Sequence, residues 1–88
     1  MNNIEDTIKD ILITDLFVET DRNEILSTHS LRNDLGVDSV GFVELKVQSE
    51  KKFGITIDDD DFTPENFATI RSIASLIEGY KTSSRAQA

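Results

Sequence analysis

Asp38 and Ser39 are the side chains of this sequence with the clearest capacity for chemistry, because they stand between a glycine-containing turn and a long helical pattern. A serine in this position can fill the first turn of a helix, attack a substrate as a nucleophile, or accept a group from another enzyme. The first role is the commonest, with Asp38 as the N-cap of the helix. The other two roles depend on the residues around the pair.

A nucleophilic role for Ser39 needs a general base, and the sequence offers a single histidine, His29, within a polar loop. A lone loop histidine is more often a surface residue than a member of a catalytic triad. A phosphate ester on Ser39, in contrast, would meet the free N–H groups and the positive dipole end of the helix. The pattern therefore favours Ser39 as the acceptor of a group over Ser39 as a hydrolytic nucleophile.

The composition narrows the classes of function. The chain has 88 residues, which is enough for one small domain, and its net charge of −8 argues against a nucleic-acid interface. It has no cysteine, so any sulfur chemistry must use a thiol that the protein does not encode. No apolar run could span a membrane and no signal peptide is visible, so we expect a cytoplasmic protein without membrane insertion.

The hydrophobic pattern predicts the elements that position Ser39. It indicates three main helices, over residues 3 to about 18, 39–53 and 69 to about 80. Thr63 and Pro64 add a short helix of about one turn. The sum is an all-α fold, a small four-helix bundle with a long first loop, over residues 1–81, followed by a flexible tail over 82–88.

Two apolar patterns flank this site. The loop over 19–38 is expected to be ordered and pinned by Ile25, Leu31, Leu35 and Val37. The second helix has one stripe that should face the core, formed by Phe42, Leu45, Ser49 and Phe53. A second stripe, the valine stripe, consists of Val40, Val43 and Val47. It either packs under the loop or forms a contact strip for partners or cargo, and the sequence leaves both open.

Three segments, LRNDLGVDSVGFVEL, Phe53-Gly54-Ile55 and FTPENFATIRSIASLI, resemble acyl carrier proteins and peptidyl carrier domains around their phosphopantetheine attachment motif. The resemblance covers nearly the whole chain and implies a four-helix carrier fold that catalyses nothing itself. It implies that Ser39 accepts 4′-phosphopantetheine from coenzyme A, while Asp38 serves the transferase and its metal as well as the helix. The thiol of this cofactor would carry acyl, aminoacyl or peptidyl groups as thioesters.

The resemblance also implies partner enzymes that a monomeric carrier meets by diffusion. They are a phosphopantetheinyl transferase, an acyl- or aminoacyl-activating ligase, and downstream synthases or transferases. The candidates for contact with these enzymes lie on the second helix: Val40, Val43, Glu44, Val47 and Glu50. The candidates for contact with the arm or its cargo are Ile57 and Phe62.

The sequence departs from the carriers of bacterial fatty acid biosynthesis at Gly41, where those proteins usually have an acidic residue. Its second helix is also not acidic, since two glutamates stand against three lysines over 39–53. Charge on such a face mainly steers association, so this departure predicts a different choice of partners. We expect a dedicated pathway, such as polyketide or nonribosomal peptide biosynthesis, aminoacyl transfer or a specialised lipid.

Two alternatives concern the acidic residues and Ser39. The four aspartates at 58–61 do not match the EF-hand pattern, so we expect a solvated acidic turn and no metal site.

The chain could also be an acidic adaptor with a carrier-like fold, which binds a partner through the valine stripe while Ser39 stays unmodified. Replacing Ser39 with alanine separates the two hypotheses, since a carrier would lose all function and an adaptor at most a little stability.

Overall fold

The computed structural model describes the backbone of residues 3–87 and the side chains of residues 4–81. Three α-helices account for most of this chain: α1 over Asn3–Thr14, α2 over Ser39–Phe53 and α3 over Ile70–Gln87. Two 3₁₀ turns, Arg22–Glu24 and Asp59–Asp61, lie in the connections. The described residues contain no β-strand, so the predicted all-α fold is confirmed.

Helix α1 ends at Thr14, earlier than the predicted end near Val18. Phe17 adopts a left-handed backbone conformation with a φ of 59°, which turns the chain away from the helix axis. The N–H of Val18 then donates to the carbonyl oxygen of Leu12 at 2.9 Å and closes the end of the helix. The apolar pattern gives no sign of this turn, because a bulky aromatic residue rarely adopts a positive φ.

Helix α2 has the predicted bounds because each of its ends has a specific cap. Asp38 precedes the helix in an extended conformation, and its carboxylate accepts the N–H of Gly41. Gly54 follows the helix with a φ of 66° and donates its N–H to the carbonyl oxygen of Glu50. These two caps fix the residues of α2 independently of the rest of the fold.

Helix α3 begins after Thr69, the predicted N-cap. Ser72 donates its N–H to Oγ1 of Thr69 at 3.0 Å, and Thr69 donates its N–H to Oγ of Ser72 at 3.0 Å. This reciprocal pair satisfies two backbone donors at the helix start. The helix continues past the predicted end at Tyr80 to Gln87. The side chains of residues 82–88 lie outside the described part, and the flexibility expected there stays a prediction.

The short helix predicted at Thr63 and Pro64 is a single hydrogen-bonded turn. Phe67 donates its N–H to the carbonyl oxygen of Thr63 at 3.0 Å, and Thr63 Oγ1 accepts the N–H of Asn66 at 3.2 Å. Ala68 then leaves the helical path, because its carbonyl oxygen accepts the N–H of a loop residue, Leu31, at 2.9 Å. Thr63 caps as predicted, but the described chain has three α-helices and this turn in place of four helices.

The core lies between the three helices. Its fully buried side chains on the helices are Ile8, Ile11, Leu12, Leu45, Ile70, Ile73 and Ile77. The loop before α2 adds the four predicted anchors, which are all buried: Ile25, Leu31, Leu35 and Val37. The prediction of an ordered loop is therefore confirmed, and this loop delivers Asp38 to the start of α2 on a fixed support.

The acidic run at 58–61 is attached to α3 through Tyr80. The Tyr80 hydroxyl accepts the N–H of Asp58 at 2.7 Å and donates to the carboxylate of Asp61. Burial, followed by the hydrogen bond to Asp61, raises the pKa of the Tyr80 hydroxyl. Within the described residues, no three ligating side chains gather into a group that could hold a metal ion. The run is thus an acidic turn with a defined attachment to the bundle.

Candidate functional site

Ser39 is the first residue of α2, and its hydroxyl is free to react. The side chain is exposed, and none of the described residues forms a hydrogen bond with the hydroxyl. Capping is done by Asp38, whose Oδ1 accepts the N–H of Gly41 at 2.8 Å. Because Asp38 takes the capping role, Ser39 presents its oxygen to solvent at the positive end of the helix dipole.

A cavity of about 600 Å³ opens beside Ser39. One side of it, the apolar wall, is formed by Phe42, Val43, Phe62, Pro64 and Phe67. The other side, the polar edge, is formed by Ser30, Arg32 and Asn33 from the loop before α2. A flexible chain attached to Ser39 could therefore lie against protein instead of extending into solvent.

Aromatic rings give the apolar wall its shape. The rings of Phe62 and Phe67 meet edge to face with their centroids 4.9 Å apart. The guanidinium carbon of Arg32 lies 5.9 Å from the centroid of Phe42, and the Nζ atom of Lys46 lies 5.9 Å from that of Phe62. Both distances suit cation–π contacts, so each cation is held at a ring of the wall.

The two residues predicted to contact cargo lie in different surroundings. Phe62 lines the cavity beside Ser39, whereas Ile57 is 2% exposed and belongs to the hydrophobic core. The structure therefore brings Phe62 to the site and does not bring Ile57 to the wall of this cavity. No pattern in the sequence distinguishes the two, because both are apolar residues of the same connection.

The valine stripe is exposed to solvent at the start of α2. Val40 is 77% exposed and Val43 is 52% exposed, while Val47 is half-buried. The interpretation that the stripe packs under the loop is therefore wrong for Val40 and Val43. In the predicted core-facing stripe of α2, Leu45 and Ser49 are fully buried, whereas Phe42 and Phe53 are half-buried and pack against the core.

The two glutamates of α2 have different partners. The carboxylate of Glu44 accepts a hydrogen bond from the Gln48 amide at 2.8 Å. The carboxylate of Glu50 accepts the backbone N–H of Ile57 at 2.8 Å and lies 3.6 Å from the Nζ atom of Lys46. Glu50 thus holds the chain that follows α2, and the partner contact expected of it stays a prediction.

Gly41 has a steric reason to be glycine. A Cβ atom at this position would lie 2.9 Å from Cγ1 of Val37 and 3.5 Å from Cδ2 of Leu16. The first of these distances is shorter than side chains tolerate, and Val37 is itself buried. Any side chain at this position would require Val37 to shift, so the contact with Val37 favours glycine on the first turn of α2.

His29 does not supply a general base to the cavity. Its Nδ1 atom accepts the backbone N–H of Leu26 at 3.1 Å, and it is not among the residues that line the space beside Ser39. The polar edge, in contrast, is a feature that the sequence analysis missed. The signal for it was weak, since Arg32 is one cation in a polar loop and only the folded chain brings it to Phe42.

Comparison with known proteins decides the family. The family model for the phosphopantetheine attachment site matches residues 6–77. An acyl carrier protein of Zymomonas mobilis is 33% identical over 81 residues, which covers 92% of this chain and 99% of that protein. Another, of Bdellovibrio bacteriovorus, is 35% identical over 75 residues, which covers 85% and 91%. The chain belongs to the acyl carrier protein family.

A solved structure agrees with this carrier in fold. The solution NMR structure of a holo acyl carrier protein from Nitrosomonas europaea matches with a TM-score of 0.76 at 24% identity, covering 94% of this chain and 99% of that one. The expected acyl-carrier fold is thereby confirmed.

No helix within the described residues is long and apolar enough to cross a membrane.

Membership of the family also assigns the cofactor. An acyl carrier protein bears 4′-phosphopantetheine covalently and is a carrier, not an enzyme, and it interacts with a phosphopantetheinyl transferase and with enzymes of its pathway. The residues at the start of α2 fit this group. An exposed hydroxyl, free of hydrogen bonds to the described residues, stands beside a cavity with an apolar wall, as a long and partly apolar attachment requires.

Proposed function

We propose that this carrier bears its 4′-phosphopantetheine on Ser39 and presents acyl or aminoacyl groups to the enzymes of a dedicated biosynthetic pathway. The cofactor supplies the thiol on which such groups travel as thioesters. The observation that carries the proposal is the exposed Ser39 hydroxyl at the first position of α2, beside the cavity. Asp38 contributes by capping the helix, which leaves the serine oxygen available.

The start of α2 is the surface we propose for contact with partner enzymes. Val40 and Val43 are exposed there, next to Ser39, and an exposed apolar pair beside a reactive group favours a protein contact. Glu44 adds a charge, while Val47 extends the same stripe. The enzymes that would use this surface are an acyl- or aminoacyl-activating ligase and downstream synthases or transferases, besides the phosphopantetheinyl transferase.

A dedicated pathway is supported by the charge and packing of α2. The contact between Gly41 and Val37 disfavours a side chain of any kind, including an acidic one, and the three lysines of α2 outnumber its two glutamates. Partner enzymes that recognise a strongly acidic helix would therefore associate slowly with this carrier. Phe62 on the apolar wall is the residue we propose for contact with the arm or its cargo.

Intact-mass spectrometry tests the attachment residue. The apo protein is incubated with coenzyme A, magnesium and a broad-specificity phosphopantetheinyl transferase. We expect the wild-type protein to gain one phosphopantetheine and Ser39→Ala to gain none. Ser75→Ala, which removes an exposed serine of α3, is the matched control and should gain the group like the wild type.

Two outcomes would contradict the proposal. A Ser39→Ala protein that still gains the group would move the attachment to another residue. A wild-type apo protein that stays unmodified by an active transferase would favour the adaptor, with Asp38 and Ser39 serving only as a helix start. Circular dichroism of both variants shows whether the fold is retained, and we expect it to be, since both serines are exposed.

A further inference from the structure

The cavity beside Ser39 carries a positive charge, although the chain as a whole is acidic. The protein has a net charge of −8, yet Arg32 lines the cavity, and none of the described residues that line it is an aspartate or a glutamate. The two acids that follow Arg32 in the loop are used elsewhere. Asp34 accepts the N–H of Ser30 at 2.8 Å, and Asp38 accepts that of Gly41 at 2.8 Å.

Arg32 is held in place without being neutralised. Its guanidinium lies over the Phe42 ring, and no carboxylate of the described chain is within ion-pair distance of it. Arg22 shows the contrast, because its Nε atom lies 3.0 Å from the carboxylate of Asp10. In a protein with an excess of acids, a cation at a cavity without an acidic partner is available to a ligand.

Two neutral donors stand on the same polar edge. Ser30 Oγ accepts the backbone N–H of Asn33 at 3.1 Å, which leaves its own proton to donate. The side-chain amide of Asn33 forms no hydrogen bond within the described residues and can donate as well. Together with the guanidinium of Arg32, these groups offer hydrogen-bond donors and positive charge to one side of the cavity.

Building on the attachment proposed at Ser39, we propose that Arg32, with Asn33 and Ser30, binds an anionic oxygen group of the molecule tethered there. The group is either the phosphodiester of the arm or a carboxylate of the cargo, since a guanidinium pairs with both. The apolar wall on the opposite side would receive the uncharged part of the tethered chain. With the carboxylate as the ligand, the cargo class that this cavity favours is an acyl group that bears a carboxylate.

The test compares forms of the protein that differ by one group. The transferase is supplied with coenzyme A, malonyl-CoA or acetoacetyl-CoA, which gives the holo, malonyl and acetoacetyl forms. The last two differ in ending with a carboxylate or a methyl ketone. Each form is made for the wild type, for Arg32→Gln and for Arg71→Gln, a matched control that removes an exposed arginine of α3 outside the cavity.

Thermal midpoints and the Nε–H resonance of Arg32 are the readouts. If the phosphodiester is the ligand, the holo form should melt about 2–5 °C above the apo form, the gain expected for an exposed ion pair in a small domain. If the carboxylate is the ligand, a gain of this size should separate the malonyl form from the acetoacetyl form. In either case the resonance should shift, and the gain should be lost in Arg32→Gln and kept in Arg71→Gln.

The inference is overturned if Arg32→Gln and Arg71→Gln give the same midpoints in every form and the Arg32 resonance does not move. Intact mass separates this outcome from a failure of the proposed function. A protein that carries the group on Ser39 but shows no effect of Arg32 contradicts only the anion site. A wild-type protein that takes no phosphopantetheine on Ser39 contradicts both.

Discussion

The two ends of α2 are both capped, but they differ in their surroundings: the side chains at the start are exposed, whereas the end is held by several contacts. At its start, one carboxylate closes the helix, since Asp38 accepts the N–H of Gly41. Ser39 and Val40 are left exposed, and Ser39 faces a cavity lined by α2 itself and by two other segments. Nothing in the described chain ties the Ser39 side chain down.

At the end of α2, several hydrogen bonds and an ion pair hold the chain in place. Glu50 accepts the backbone N–H of Ile57 and lies beside Lys46, while Gly54 ends the helix in a left-handed conformation. Tyr80 then fixes the acidic turn that follows. The comparison teaches that one helix can separate two tasks, because the contacts at its end stabilise the bundle while its start leaves Ser39 and Val40 exposed for the attachment and partner contact that we propose.

Replacing Glu50 with alanine should produce the largest change in stability. The N–H of Ile57 would lose a charged acceptor in a part-buried position, which should lower the free energy of unfolding by about 2 kcal/mol. Glu44→Ala is the matched control, since within the described residues its carboxylate bonds only to the Gln48 amide, and it should change stability by less than about 0.5 kcal/mol. Urea unfolding measures the stability of both variants. Equal losses would mean that the hydrogen bond from Ile57 to Glu50 does not stabilise the end of α2 more than an ordinary surface contact.

Asp38→Asn should act on modification while sparing stability. Asparagine caps a helix about as well as aspartate, so the free energy of unfolding should stay within about 0.5 kcal/mol of the wild type. If the charge of Asp38 also serves the transferase, the rate of phosphopantetheine transfer should fall about tenfold, which corresponds to about 1.4 kcal/mol. A transfer rate like that of the wild type would limit Asp38 to capping.

Tyr80→Phe should weaken the attachment of the acidic turn to α3, because it removes the Tyr80 hydroxyl. It removes the hydrogen bonds to Asp58 and Asp61 and should cost about 1 kcal/mol near neutral pH. Because the pKa of Tyr80 is raised in the folded protein, its contribution is present below about pH 10, the ordinary value, and is lost as the pH rises through the folded pKa.

The pH dependence gives this prediction a control. Wild-type stability, followed by urea unfolding between about pH 7 and pH 11, should fall more steeply above about pH 10 than that of Tyr80→Phe. Parallel curves for the two proteins would show that Tyr80 does not link the acidic turn to α3 in solution. Transfer of phosphopantetheine to Ser39 at neutral pH should be the same in both, since Tyr80 does not line the cavity.

Ser49→Ala should change stability in the opposite direction and raise the free energy of unfolding. Ser49 is fully buried on the core side of α2, and its hydroxyl has no hydrogen-bond partner within the described residues. Removing it should raise the free energy of unfolding by about 0.5–1 kcal/mol more than Ser75→Ala, which gains only helix propensity at an exposed site. A destabilised Ser49→Ala protein would mean that the hydroxyl finds a partner in solution.

Local signals made the ends of α2 predictable. Asp38 before the helix and Gly54 after it are caps whose effect depends on neighbouring backbone alone, so the bounds 39–53 could be read from the sequence. The end of α1 could not, because Phe17 takes a left-handed conformation that its side chain disfavours. The short turn after Thr63 agrees with the sequence pattern, whereas its hydrogen bond to the loop, from the Leu31 N–H to the Ala68 carbonyl oxygen, depends on the tertiary fold.

The sequence by itself determined the helical class, the capped start of α2 and Ser39 as the candidate acceptor, because periodicity, caps and a short motif act through neighbours along the chain. Only the tertiary structure decided which side chains surround that serine. Arg32 reaches Phe42 and Phe62 reaches the cavity, while Ile57 does not, because each depends on how distant segments pack. Packing of this kind is set by contacts between segments, for which a single sequence carries no direct signal.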